Sequence, residues 1–146
     1  MSLVQKFLDR VFPSETLPFG RRWRIAGSFM SPETKPAWLK RPLPWIPDRN
    51  LYLHHMTSPD ADRDVHDHPW GFVSIVLSGG YEELVRTITG YHEEAHCPWS
   101  VLFRSPEFLH RITKLPTGEC WTLVFTGKRV RKWGFMKGAF WMPHEM

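Results

Sequence analysis

The sequence predicts an all-β fold, a small sandwich or barrel in one domain, and three observations carry that expectation. Short segments rich in Val, Ile, Leu, Phe and Trp recur at near-regular spacing between positions 50 and 126. Turns containing Gly or Pro separate them, and 13 Pro spread along the chain argue against long helices. No helical pattern is interleaved between the strands, which excludes an alternating α/β layout. At 146 residues the chain has enough core to fold without disulfide or metal staples, so a metal site in it reads as functional before structural.

Taken in order, Leu3, Val4, Phe7, Leu8, Val11 and Phe12 fall on one face of a short amphipathic helix closed by Pro13. That face is expected to plug or flank the barrel, or to pair two subunits as a homodimer. The rest of the arm, to residue 48, carries Pro18, Pro32, Pro36, Pro42, Pro44 and Pro47 and is expected to be extended, with one strand from Trp23 to Phe29. The barrel core spans 50–126. Its strands are Leu51 to Met56, Phe72 to Leu77, Tyr81 to Ile88, Trp99 to Arg104, Leu109 to Lys114 and Cys120 to Phe125. The second and third, joined by Ser78-Gly79-Gly80, are expected to pair antiparallel. Residues 127–146 form a basic and aromatic tail.

Composition narrows the partners. A net charge of +4 is mild and suits an acidic ligand without resembling a nucleic-acid arm. The run Lys128-Arg129-Val130-Arg131-Lys132 beside Trp133 reads as a solvated strand or tail, so nucleic-acid binding is the third-ranked function. Cys97 and Cys120 form no CxxC and no disulfide framework. Lys6, Asp9 and Arg10 interrupt the N-terminus, no stretch has the length of a membrane span, and a cytoplasmic location is expected.

The chemistry concentrates in His66-Asp67-His68. In an extended segment, residues i and i+2 leave the same face about 7 Å apart. Two imidazoles so placed can converge on one ion through bonds of about 2.0–2.1 Å. Downstream, Ser105-Pro106-Glu107-Phe108-Leu109-His110 brings a further His into a strand.

In order and spacing, HDHPWGFVSIVLSGGY and SPEFLHRI resemble the two motifs of the cupin superfamily, over roughly residues 50 to 126. The resemblance implies a jelly-roll barrel with His66, His68 and His110 converging on one divalent metal, Fe, Zn, Mn or Ni. The first cupin motif usually supplies a Glu ligand four or five residues beyond the second His, where this chain has Phe72 and Val73. That departure implies an all-imidazole centre with open positions, as in the thiol dioxygenases, which HDH and Leu109-His110-Arg111 also resemble. The late-strand His and Tyr of that family have no counterpart in Trp121 to Thr126.

A rival motif, His92-Glu93-Glu94-Ala95-His96, matches the letters of the zinc-protease signature HExxH. That chemistry needs a helix, and Gly90 and Pro98 leave too few residues for one, so the stretch reads as a polar hairpin connection. Around the metal, Arg104 is the candidate anion clamp, and Trp70 the candidate wall. One of His54 and His55 must face inward, and Tyr52 shares the parity of His54. Asp64 and Asp67 are candidates to orient the ligand imidazoles. The leading function is a metal-dependent enzyme acting on a small molecule, a dioxygenase or an isomerase. The alternative is a non-catalytic metal-binding or sensor protein.

Overall fold

The computed structural model describes residues 1–27, 49–61 and 64–144. Its elements are α1 (Leu3–Val11), β1 (Ser14–Leu17), β2 (Gly20–Gly27), β3 (Asn50–Met56), β4 (Phe72–Ser78), β5 (Tyr81–Thr87), β6 (Gly90–His96), β7 (Val101–Arg104), β8 (Leu109–Lys114), β9 (Cys120–Thr126), β10 (Gly134–Lys137) and β11 (Phe140–Pro143). The arm expected to be extended lies, from 28 to 48, outside the described residues, as does the Phe29 end of its strand.

Three antiparallel sheets form, in the orders β1-β2-β3-β9-β4-β7, β6-β5-β8 and β10-β11. The first two enclose a cavity lined by Tyr52, His54, Ser74, Thr122 and Val124 from the larger sheet and by Tyr81, His110 and Ile112 from the smaller. Alternation along β9, with Cys120, Thr122, Val124 and Thr126 buried, places one side-chain row toward this interior. Met56, Val76, Tyr81, Leu115 and Cys120 form the packed core beside it, flanked by Phe19, Leu102 and Ile112.

Two expectations need correction. β4 and β5 do not pair with each other; β4 pairs with β7 and β9, while β5 pairs with β6 and β8. The Gly79-Gly80 turn, with φ of 86° and 91°, carries the chain from one sheet to the other. A Cβ at Gly79 would lie 2.0 Å from the Glu119 carbonyl oxygen, so the crossing requires glycine. His92 to His96, read as a connection, belong instead to β6, paired with β5 along its whole length.

The helix starts at a capping box in which Ser2 and Gln5 exchange side-chain-to-backbone bonds of 3.2 and 2.8 Å. It flanks the large sheet, burying Leu8 and fixing itself through Asp9, which accepts from the Trp23 indole at 2.8 Å. Leu3, Val4 and Phe7 remain exposed. Among the described residues no helix is long and apolar enough to cross a membrane.

Candidate metal centre

His66 and His110 are positioned by backbone before side chains enter. They form an isolated antiparallel bridge, with N–H···O bonds of 2.9 and 3.0 Å in both directions. Directly opposed residues of such a pair project to one face, so the two imidazoles meet with ring centroids 4.9 Å apart. The backbone N–H of His68 donates to the Pro106 carbonyl at 3.1 Å, which ties the second histidine to the proline turn before His110. Its ring lies 5.3 Å from that of His66 and 5.0 Å from that of His110.

One ring nitrogen from each of His66, His68 and His110 lies within 4.8 Å of the others. The Nε2 atoms of His68 and His110 are 3.5 Å apart. A tetrahedral ion with bonds of about 2.1 Å spaces its ligands about 3.4 Å apart, so this pair fits a shared cation. Burial, then His110, holds His66 neutral down to about pH 3; burial and the neighbouring histidines keep His68 well below its usual value. Two of the three rings therefore present neutral imidazole at neutral pH, the form that binds metal.

His110 has a partner that the sequence did not expose. Glu83, 1% exposed on β5, accepts from His110 Nδ1 at 2.5 Å. That bond places the ring proton on Nδ1 and leaves the Nε2 lone pair toward the cluster. Glu83 also accepts from His96 Nε2 at 2.8 Å and from Arg104 at 2.9 Å. Burial works against its charge, but these hydrogen bonds and the guanidinium outweigh it and hold the carboxyl down at about 2.

Arg104 is thereby relocated. It does not line the cavity as an anion clamp; it bridges Glu83 and Glu94, bonding the latter at 2.8 Å, and stacks on Phe108 at 4.1 Å. Register explains the arrangement: Glu83 and Glu94 are directly opposed across β5 and β6, a like-charge pair that a guanidinium between them relieves. Glu83, Glu94 and His96 also cluster within metal-ligand range, with Arg104 already serving as the cation there. On the β6 strand Glu93 points away from His92 and His96, so the HEEAH letters do not build a zinc-protease site.

Asp67 does not orient an imidazole. It is 2% exposed and accepts from Gly134 N–H at 2.7 Å, the Trp141 indole at 2.8 Å and Arg131 at 2.9 Å. Asp67 thus pins the β10–β11 hairpin against the HxH segment, and Trp133, just before the hairpin, and Phe135 within it pack edge-on against His66. From the stretch expected to be a tail, Trp133, Phe135 and His144 form part of the wall.

His66, His68 and His110 open into a cavity of about 530 Å³ lined also by Tyr52, His54, Trp70 and Phe72. The alternation at His54 and His55 resolves in favour of His54. His55 faces α1, taking a bond from Gln5 at 2.8 Å, donating to Glu119 at 2.7 Å and stacking on Trp121 at 4.2 Å. Phe72 occupies the neighbourhood where a fourth ligand would be expected, its ring edge-on to His68 at 4.9 Å.

No family profile and no curated sequence matches the chain. Similarity emerges among solved structures. An oxalate decarboxylase variant from Bacillus subtilis superposes with a TM-score of 0.59 at 13% identity, covering 84% of this chain and 29% of that one. The Lactobacillus farciminis oxalate decarboxylase formate complex gives 0.58 at 14% identity, covering 84% and 32%. The chain therefore spans about a third or less of the length of these neighbours. Their likeness, together with the antiparallel sheets closed around the histidine cluster, shows that the chain has a cupin-type jelly-roll fold.

Proposed function

We propose that the protein binds one divalent transition metal through His66, His68 and His110 and acts as a metal-dependent enzyme on a small molecule held in the adjoining cavity. One observation carries this reading: three imidazoles, from segments 42 residues apart, converge within 4.8 Å and face a cavity of about 530 Å³. A volume in that range suits a small organic ligand. When bound, the ion would supply Lewis-acid or redox chemistry at the positions the protein leaves open. Fe, Zn, Mn and Ni all suit an imidazole set, and affinity order does not choose among them. Trp70, Tyr52 and His54 form the polar and aromatic surface a substrate would contact. The solved neighbours are named for decarboxylating oxalate, and shared fold does not carry that reaction here.

The test begins with elemental analysis of protein purified without added metal. About one equivalent of a transition metal is expected in the wild type, and a strongly reduced content in His110→Ala. A protein that holds no metal, and whose Tm does not move on adding Fe, Zn, Mn or Ni, would end this reading. Oxygen uptake with thiols, diketones and hydroxy acids then separates an oxidising enzyme from a binding protein.

A further inference from the structure

We propose that the cavity takes a small molecule carrying two anionic groups, one directed to the three-histidine metal centre and the other to Arg22. The assignment of the first group rests on the metal reading above; the assignment of Arg22 does not.

The charge balance of the cavity motivates it. The ligand set is three imidazoles with no carboxylate, so a bound ion keeps its full charge. The carboxylates nearby are already engaged: Glu83 by Arg104, His96 and His110, and Asp67 by Arg131, Trp141 and Gly134. Asp60, also on the wall, accepts the Ile112 backbone N–H at 2.8 Å. The ligand set itself holds no carboxylate, so an incoming anionic group can supply negative charge directly at the ion.

Arg22 supplies the second positive pole. It belongs to β2, is the cross-strand neighbour of His54 on β3, and lines the same cavity as the three histidines. Its side chain is 21% exposed, and its guanidinium lies 4.3 Å over the Tyr52 ring, which orients it. Its Nε is buried without a hydrogen-bond partner. Its ion pair is with Glu15, whose side chain is 49% exposed, so solvent weakens the pairing. His54, beside it, stays neutral through burial and the proximity of Arg22, so it offers no competing charge. Phe19, Met56, Phe72 and Val124 make the lining apolar around these groups, which suits a hydrocarbon spacer joining two anionic ends.

The probes are linear dicarboxylates from malonate to adipate, each compared with the monocarboxylate of equal length, titrated calorimetrically into metal-loaded protein. One dicarboxylate length should bind roughly ten- to a hundredfold more tightly than its monocarboxylate, the worth of one charge-assisted hydrogen bond. Arg22→Gln should abolish that advantage while metal content and monocarboxylate affinity stay unchanged. Arg22→Lys should keep part of it, and Glu15→Gln should preserve or increase it. A wild type without preference for any dicarboxylate, or an Arg22→Gln protein that retains the preference, overturns the proposal. Chelator-stripped protein that binds monocarboxylates as well as loaded protein overturns the assignment of the first group to the metal, leaving the Arg22 comparison intact, whereas the metal reading itself falls only with the metal content.

Discussion

Replacing Glu83 by Gln removes one charge and almost no volume, and its effect is set by the bonds Glu83 makes. Glu83 is 1% exposed and accepts three bonds, from His110 Nδ1, His96 Nε2 and Arg104. A glutamine has one accepting oxygen and one donating amide. If its oxygen serves His96 and Arg104, its amide must donate to His110 Nδ1. That moves the ring proton of His110 to Nε2 and removes the lone pair aimed at His68 and His66. If the amide is flipped, two donors confront Arg104 and His96. Either arrangement weakens the third ligand, and loss of such an outer partner typically costs about 10- to 100-fold in metal affinity, roughly 1.4–2.7 kcal/mol. The folded state suffers as well, because Arg104 keeps only Glu94, and breaking a buried pair costs on the order of 3–5 kcal/mol. Chelator competition on folded protein measures the first effect and urea unfolding without metal the second. Glu94→Gln is the control, since Glu94 has no bond to His110. A Glu83→Gln protein with wild-type metal affinity would refute the assignment of Glu83 as the residue that positions His110.

The same contacts set three other outcomes. Single replacement of His66 or His68 by Ala should abolish stoichiometric metal binding with the secondary structure by circular dichroism unchanged; retention of a full equivalent by either variant would remove that residue from the ligand set. Asp67→Asn should lower stability by about 3 kcal/mol, because a buried acceptor pairing with Arg131, Trp141 and Gly134 loses its charge. Equal urea midpoints would refute it. The pH dependence of metal-free protein tests His54. Burial, then Arg22, lowers its folded pKa to about 3, against 6.5 in the unfolded chain. Below 6.5 the unfolded chain therefore binds more protons, and stability falls as pH drops toward 3, by at most about 1.4 kcal/mol per unit from this residue. His54→Gln should flatten the slope of stability between pH 6.5 and 4, and an unchanged slope would show that His54 titrates alike in both states.

Much of the centre was legible because it is written locally. His66 and His68 are two positions apart, and a strand turns that spacing into one face; the proline turn before His110 marks the third ligand's entry to β8. What sets His110 is not local. Glu83 is 27 residues away in the chain and becomes its neighbour only because β5 pairs with β8 in a register that sets Val85 opposite His110. Periodicity gives a strand's faces but not its partners. The same gap explains the misplaced pairing of β4 with β5 and the expectation that Arg104 would clamp a ligand. The choice between His54 and His55 stayed open for a related reason: both faces of β3 carry packing groups, and only the docking of α1, through Gln5 onto His55, shows which side the helix takes.

The two buried acidic residues among those described, Glu83 and Asp67, divide their labour by the arginines that accompany them. The bonds from His110 and His96, with Arg104 beside them, hold Glu83 ionised behind His110, where the charge fixes a proton on Nδ1. Arg131 holds Asp67 between the other two histidines, where the charge anchors the β10–β11 hairpin against the HxH segment. Each carboxylate is paired with an arginine, Arg104 being shared with Glu94, which permits both to be buried beside the cluster. The centre gains rigidity from ionic contacts yet remains an all-imidazole set, so the charge of a bound ion is left for the ligand that enters the cavity to meet.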